Sequence, residues 1–480
     1  MRQALEVRNP RTGMVDATIC CATPSDVTAA TARLRQSYPA WAGLELAARS
    51  ARLRRLAAAL EEARAPLLAA LQVDTGRGRI AEMELDGVIA SIDSWIQRAP
   101  DLLPHGWNKG RANPAIRHTT QFVPYPVVGV ISPWNFPLTL SMIDALPALL
   151  AGCTVLLKPS EITPRFAEPL QDAIRSAGLG DVFEIVTGAA ETGSALVAQV
   201  DAVCFTGSVS TGRRVAVDCA SRLIPAFLEL GGKDPLIVLA DADIELATDA
   251  ALRGSVLATG QACQSIERIY VDHQIHDRFL TRLCQKAEAV RLTWPDPEVG
   301  EIGPIIFAKQ ADTLASHIAD ARRKGARVLT GGEIEHHGGG RWMRPTVLAD
   351  VTHDMLVMRE ETFGPIMPVM GFSTQAEAIQ LANDTSFGLS AAVFSGDMDR
   401  ATAVAKLLDV GAISLNDTSL TGVFHEAEKQ SFKSSGLGAS RMGASGFLRF
   451  FRRKAIIAQT AHPAPLAAFS ESGAPAPENS

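Results

Sequence analysis

Cysteine is scarce in this chain, with seven residues in 480, odd in number and scattered. There is no CxxC pair and no Cys/His metal-ligand spacing, so neither a disulfide framework nor a metal site is expected. Cys20 and Cys21 are adjacent, a poor geometry for an ordinary disulfide, and the pattern points to a reducing cytoplasm. His336-His337 stands beside Gly338-Gly-Gly with no ligating partner and reads as surface. Long basic runs are missing too. With a formal net charge of −6, no nucleic-acid surface is expected. The longest apolar run, 145–157, contains Pro147 and Gly152 and is too short to span a bilayer. The opening MRQALEVRNPRTG has no apolar signal-peptide core, and no internal repeat is evident. No membrane association is expected.

What is present is the ordinary material of a globular enzyme, 47% hydrophobic and 20% charged. At 480 residues the chain is too long for one small core and is expected to divide into packed units. Asn9-Pro-Arg-Thr-Gly13 reads as a turn between two short strands. Ser25-Asp26 reads as a helix cap, followed by amphipathic helical stretches near 26–37, 43–73 (with a break near Pro66) and 79–99. Residues 104–124 are polar and then alternate, as a two-faced strand pair does. From Pro126, apolar runs at 127–131, 154–158, 183–187 and 202–205 alternate with helical patterns at 138–150, 160–177 and 211–222. That alternation predicts a parallel, doubly wound α/β sheet, which binds nucleotides at the carboxyl ends of its strands. A second alternation after Pro235 predicts a separate α/β unit, with the active site in the cleft between the two. From Ala461 the chain is rich in Pro, Ala and Ser and reads as a mobile tail.

One stretch, 228–268, organises the rest. It opens LELGGKDP and closes GQACQSIER. Glu229 ends an apolar run just before Gly231-Gly232, a carboxylate at the end of a strand. Cys263 follows 34 positions later (263 − 229) in a turn of small residues that leaves a thiol approachable. Such a thiolate can attack a carbonyl carbon, and a base beside it can activate water on the resulting thioester. Taken singly, a lone cysteine is more often a small buried hydrophobe, and a Glu before Gly-Gly a turn residue. Other words stand with them. In Pro133-Trp134-Asn135-Phe136-Pro137, the Asn135 amide could donate to an oxyanion together with the Cys263 backbone N–H, or merely make a turn between prolines. Lys158-Pro-Ser160-Glu161 ends a strand, where a carboxylate accepts from a ribose 2′-hydroxyl and repels a 2′-phosphate. Phe205-Thr-Gly207-Ser208 leads into a helix start that suits a pyrophosphate. Its spacing is GxxxxG rather than GxGxxG, and no Walker lysine follows.

ELGGK followed by GQxC, together with WNFP, KPSE, FTGS and EETFGP, resembles the aldehyde dehydrogenase superfamily over about residues 9–460. The resemblance implies NAD(P)-dependent oxidation of a small-molecule aldehyde to an acid through a cysteine thiohemiacetal and thioester. It implies Cys263 as nucleophile, Glu229 as general base and Asn135 in the oxyanion site. It places Ile131, Trp134, Lys158, Ser160, Glu161, Gly207, Ser208, Gly231, Glu361 and Phe363 at the cofactor, with Glu361 on the nicotinamide ribose and Phe363 beside the nicotinamide. NAD is the implied cofactor, and Lys158 leaves NADP compatible. The implied architecture is a Rossmann-like NAD-binding domain (1–103 and 123–230), an α/β catalytic domain (231–438), a small β oligomerisation arm (104–122 and 439–460) and a disordered tail (461–480). The arm is expected to pair with strand 455–458 of another subunit in a homodimer or homotetramer. A CoA-acylating relative would not need Glu229, a simple thioester hydrolase would not need KPSE and EETFGP, and a non-catalytic member would not need Cys263, Glu229 and Asn135 together.

The chain departs from the family at several points. Asp144 stands where a lysine is frequent, and Ala439-Ser440-Arg441 where Gly-Arg-Glu is frequent, so the route of the proton from Glu229 is left unassigned. Asp144 is either a replacement or a residue facing a neighbouring helix. Glu428-Lys429-Gln430-Ser431-Phe432 replaces a frequent Phe-Gly-Gly, and Ile143 stands where succinate-semialdehyde enzymes carry arginine. A pocket of Phe136, Met142, Ile143 and Phe424 predicts an apolar or aromatic aldehyde. The alternative is a carboxylate-bearing semialdehyde, with Lys429 binding the distant carboxylate.

Overall fold

The computed structural model describes residues 3–104 and 106–471. The short apolar runs become strands, and those at 127–131, 154–158 and 202–206 are buried on both faces. Six form one sheet in the order Gly436–Leu437, Ala226–Glu229, Ala202–Thr206, Val127–Ile131, Thr154–Lys158 and Phe183–Ile185. All neighbours are parallel except Gly436–Leu437 against Ala226–Glu229. Alternate residues serve two cores. Val128 and Val130 pack with the helices Leu46–Glu62, Gly78–Leu102 and Pro137–Ala151, whereas Val127 and Ile131 pack with Pro24–Ala42 and Ala190–Val197.

A second sheet of seven strands runs Arg327–Val328, Thr346–Ala349, Ile366–Phe372, Ile266–Asp272, Asp234–Val238, Ser390–Phe394 and Ala412–Leu415. It is parallel apart from the Arg327–Val328 edge, and again has a core on each face. Glu229 is the last residue of a strand in the first sheet, and Asp234 the first of a strand in the second. Only Leu230–Lys233 joins them, so the carboxyl edge of one sheet meets the amino edge of the other at Glu229.

The arm departs from expectation in its partner. Phe451–Gln459 pairs antiparallel with Ile116–Pro124 of the same chain, from Phe451↔Pro124 to Gln459↔Ile116. The reason is aromatic anchoring. Phe451 stacks edge-on with Phe122 at 5.6 Å and Phe447 at 5.2 Å, so the strand leaves the core already alongside Pro124. Its other side is a free edge of a three-stranded sheet completed by Asn108–Lys109.

Helix boundaries differ where proline intervenes. The first helix begins at Pro24, with Thr23 as N-cap in a capping box with Asp26 rather than Ser25-Asp26 as the cap. The long stretch 43–73 breaks near Pro66 as expected, at Ala63, into Leu46–Glu62 and Arg64–Thr75. The helix read over 160–177 forms only at Ala167–Ser176, since Pro164 disfavours helical backbone just before it. The expected tail is described as far as Glu471, with a single turn at Leu466–Phe469, and 472–480 lies outside the described residues. Among the described residues no helix is long and apolar enough to cross a membrane.

Candidate active site

Cys263 follows the helix Ile244–Val256 in a turn that other parts of the chain hold in place. Ala258 and Thr259 adopt left-handed φ of 55° and 61°. Each costs about 1–2 kcal/mol and persists only where contacts over-determine it. The buried Arg77 supplies such contacts, donating to Ala258 O at 2.5 Å and to Asn135 O at 2.8 Å. Gln261, fully buried, donates to Pro304 O at 3.1 Å and accepts from Ile306 N at 2.9 Å. The Asn135 side-chain amide donates to Gln261 O at 3.0 Å, which brings WNFP against the cysteine turn. Cys263 is partly exposed as a residue, yet burial of its thiol pushes the pKa up to about 12; Lys429 and Arg441 oppose that rise, and Glu361 and Glu229 add to it.

Glu229 reaches the same place from the first sheet. Its carboxylate is buried, accepts from Ser431 Oγ at 2.8 Å and lies 3.7 Å from Lys429 Nζ. The two glycines after it are required by close approach. A Cβ on Gly232 would lie 2.4 Å from the Cys263 carbonyl oxygen, and one on Gly231 would lie 2.5 Å from a Glu361 carboxyl oxygen. The loop from Glu229 therefore passes directly between Cys263 and Glu361. Glu361 accepts from Gly232 N at 3.0 Å, and burial, with Glu267 nearby, raises its pKa to about 8. A carboxyl group so placed retains acceptor capacity on the cleft side. Phe363 has a left-handed φ of 54° and packs edge-on to Trp134 at 5.4 Å. Its backbone N–H and that of Thr362 both donate to Glu267, at 2.7 Å each, and Glu267 is paired with the fully buried Lys233 at 2.8 Å. This buried pair fixes the EETFGP turn.

The other expected cofactor residues cluster at the carboxyl ends of the first sheet. Ile131 and Lys158 end neighbouring strands in register. The Lys158 ammonium donates to Pro159 O and Gly188 O at 2.9 and 2.7 Å and lies 3.5 Å from Glu161. Ser160 accepts from Ile162 N at 3.2 Å, within the segment that Thr163 ties to Trp134 O. Gly207 follows the strand Ala202–Thr206, and Ser208 caps the helix Val209–Ser221 by accepting from Thr211 N at 3.4 Å. Trp134, Asn135, Glu229, Gly231, Cys263, Glu361 and Phe363 thus meet at the sheet junction, with Ile131, Lys158, Ser160, Glu161, Gly207 and Ser208 along the first sheet's edge.

The two departures resolve differently. Asp144 is buried between Arg441, which donates to it at 3.0 Å, and Arg449. Arg441 also donates to Thr206 Oγ1 at 2.5 Å, beside the Glu229 strand. Ser440 accepts from Met442 N and only shapes that turn. In the expected pocket, Phe136 and Ile143 are partly exposed and Phe424 is 52% exposed, whereas Met142 is fully buried in the core and lines nothing. Lys429 lies beside Glu229 rather than at a distance from the reacting groups.

Several residues of the site escape sequence reading. Arg77, Gln261, Glu267 and Ser431 act through contacts 34 or more positions away (Glu267 with Lys233 is the nearest). Only Glu267 left a signal, as a charge inside the apolar run of the strand Ile266–Asp272.

The sequence profile of the aldehyde dehydrogenase family matches residues 1–456. This chain belongs to that family. A Mycolicibacterium smegmatis protein described as an NADP+-dependent succinate-semialdehyde dehydrogenase is 36% identical over 459 residues, 95% of this chain and 89% of that one. The solved structure of PutA from Anabaena variabilis, described as an aldehyde dehydrogenase, superimposes with a TM-score of 0.94 at 51% identity, covering 96% of this chain and 99% of that one. Betaine aldehyde dehydrogenase from Staphylococcus aureus, solved in complex with NAD+, gives 0.89 at 30% identity, with 98% and 94% covered. The aldehyde dehydrogenase fold and the oxidation of small-molecule aldehydes follow from membership.

Proposed function

We propose that this aldehyde dehydrogenase oxidises an apolar or aromatic aldehyde to its carboxylic acid with NAD, using Cys263 as nucleophile, Glu229 as general base and Asn135 as oxyanion donor. The observation that carries the assignment is the loop at Gly231-Gly232, which packs against the Cys263 carbonyl on one side and Glu361 on the other. The thiolate of Cys263 adds to the aldehyde carbon, and the negative charge moves to the carbonyl oxygen. One N–H of the Asn135 amide is engaged by Gln261 O, and the other is available to that oxyanion with the Cys263 backbone N–H. When bound, NAD would supply the hydride acceptor, taking the two electrons and the hydrogen that the thiohemiacetal carbon gives up as the thioester forms. Glu229 then takes a proton from the attacking water, the acid leaves and the thiol is regenerated.

The residues present fit that cofactor. Glu361 is a half-buried carboxyl that accepts from the Gly232 N–H, with acceptor capacity left for ribose hydroxyls of the nicotinamide end. Trp134 and Phe363 offer an aromatic wall. The capped start of the helix Val209–Ser221, with Gly207 and Ser208, suits the pyrophosphate, and Ile131, Lys158, Ser160 and Glu161 suit the adenosine ribose. Lys158 is already held by two carbonyls and Glu161, which favours NAD over a 2′-phosphorylated cofactor.

The partly exposed Phe136 and Ile143 support the apolar substrate. A carboxylate-bearing aldehyde is the second reading, favoured by the name of the Mycolicibacterium relative. The unit boundaries proposed are 1–103 with 123–230 for the cofactor, 231–438 for catalysis, and 104–122 with 439–460 for an arm whose free edge, Phe451–Gln459, joins a homodimer or homotetramer. Seven unpaired cysteines support a reducing cytoplasm.

Cys263→Ala should abolish NADH formation. Glu229→Gln should give a stoichiometric NADH burst followed by slow turnover, as the thioester accumulates. Unchanged steady-state rates in either variant would refute the assignment, and a clear preference for succinate semialdehyde over aromatic aldehydes would refute the substrate class.

A further inference from the structure

Lys429 is a cation in a place that the reaction described above leaves without a task. It is 5% exposed, and its ammonium lies 3.7 Å from Glu229 Oε2. The segment carrying it is held on every side. Ser431 donates to the same Glu229 oxygen at 2.8 Å. The Gln430 carbonyl is wedged over Gly411, where a Cβ would lie 1.6 Å from the oxygen. Phe432–Lys433 pairs with Phe387–Gly388, and Gly436 pairs with Glu229 itself. The ammonium is therefore placed by the fold and does not swing freely as a surface lysine would.

The charges around it define what it can do. The groups that feel Lys429 are Glu229, Cys263, Asp234 and His425. The charged groups near enough to act on the Cys263 thiol are Lys429 and Arg441, which favour its ionised form, and Glu361 and Glu229, which oppose it. Arg441 is already engaged by Asp144 and Thr206. We propose that Lys429 is a positioning and charge-balancing residue of the oxidation, its ammonium group holding the Glu229 carboxylate and stabilising the thiolate of Cys263. The proposal rests on Cys263 being the nucleophile.

The chemistry follows in two stages. Attack requires the S–H bond to break, the proton passing to solvent water while the electron pair stays on sulfur, so a negative charge appears near the Glu229 and Glu361 carboxyl groups and burial alone would suppress it. The ammonium offsets that charge. Once the C–S bond forms, the charge passes to the carbonyl oxygen, and Lys429 is left paired with Glu229, aligned for the water step. Lysine at this position thus assists the first bond to form rather than the binding of a remote part of the substrate.

The test is the rate of iodoacetamide labelling of Cys263 against pH on the full-length enzyme, with the adduct located by mass spectrometry. Lys429→Met should move the rise in rate upward by about one pH unit, slowing labelling near neutrality about tenfold. Lys429→Arg, which keeps the charge, should track the wild type. Lys429→Gln, closer in polarity, serves as the second neutral variant should the methionine fail to fold. Neutral variants whose profiles superimpose on the wild type overturn the proposal. So does an arginine variant displaced as far as the neutral ones, because packing rather than charge would then be responsible. Full turnover by Cys263→Ala would instead strike the nucleophile assignment, a result independent of the labelling profiles.

Discussion

Asp144 illustrates how one side chain can change meaning between sequence and structure. It stands where the family frequently has a lysine, and it holds two buried guanidinium groups, Arg441 and Arg449. Burial pulls the Arg441 pKa down, but Asp144 and Glu229 outweigh it, and the net shift is upward. A guanidinium that stays charged cannot pass on a proton. The cluster therefore fixes positive charge behind the Glu229 strand and does not relay. Removing the carboxylate would leave two unpaired buried cations, and Asp144→Ala should lower unfolding free energy by about 3–5 kcal/mol in urea denaturation. A loss below about 1 kcal/mol would show that water reaches the pair. No local pattern in the sequence announces this cluster, since its members are 297 and 305 positions apart.

Among elements, the segment 429–433 decides most about the site. Its conformation depends on Gly411, because any larger residue there would strike the Gln430 carbonyl. Gly411→Ala should push Ser431 and Lys429 away from Glu229 while leaving both sheets intact. The expected outcome is a fall in kcat of about tenfold or more with a preserved NADH burst, since small misplacements of catalytic groups are costly. Unaltered steady-state turnover in a folded variant would mean that the segment adapts. Elements carrying regular hydrophobic patterns were readable in advance, such as Val127–Ile131 and Thr154–Lys158. Where proline intervenes, amphipathic spacing predicts a longer helix than forms: the pattern begins at 160, but the helix starts only at Ala167, beyond Pro164.

At the scale of the molecule, buried carboxyls give the stability a pH dependence. Burial raises the folded-state pKa of Glu361 from 4.5 to about 8, so the folded protein binds the proton more tightly than the unfolded chain. The favourable contribution is complete below about pH 4.5 and is lost as pH rises through about 8. Glu361→Gln removes this term. Its stability relative to wild type should therefore increase steadily across that window, as read from thermal midpoints, and a difference that is flat with pH would contradict the shift. The arm supplies a second test. Ile457 is 67% exposed on the free-edge strand Phe451–Gln459. If the chain assembles through this edge as proposed, Ile457→Asp should leave the fold and the melting profile of the subunit intact but give a smaller species than the wild type in sedimentation. An unchanged sedimentation coefficient would place the interface elsewhere.

The sequence by itself determined the two α/β alternations and most of the chemical residues. Fold class follows from hydrophobic period, which is local. Asn135, Lys158 and Glu229 stand at or just beyond strand ends, and Cys263 in the turn before a strand, within words of glycine and proline that are local too. Only the tertiary structure decided which side chains hold those residues in place. Ser431 meets Glu229 across 202 positions and Arg77 meets Ala258 across 181, through the pairing of Gly436 with Glu229 and the packing of distant turns. Likewise the arm strand found Ile116–Pro124 of its own chain because aromatic packing at Phe451 delivered it there. Contacts of that range depend on register and packing, which leave no periodic trace in the chain.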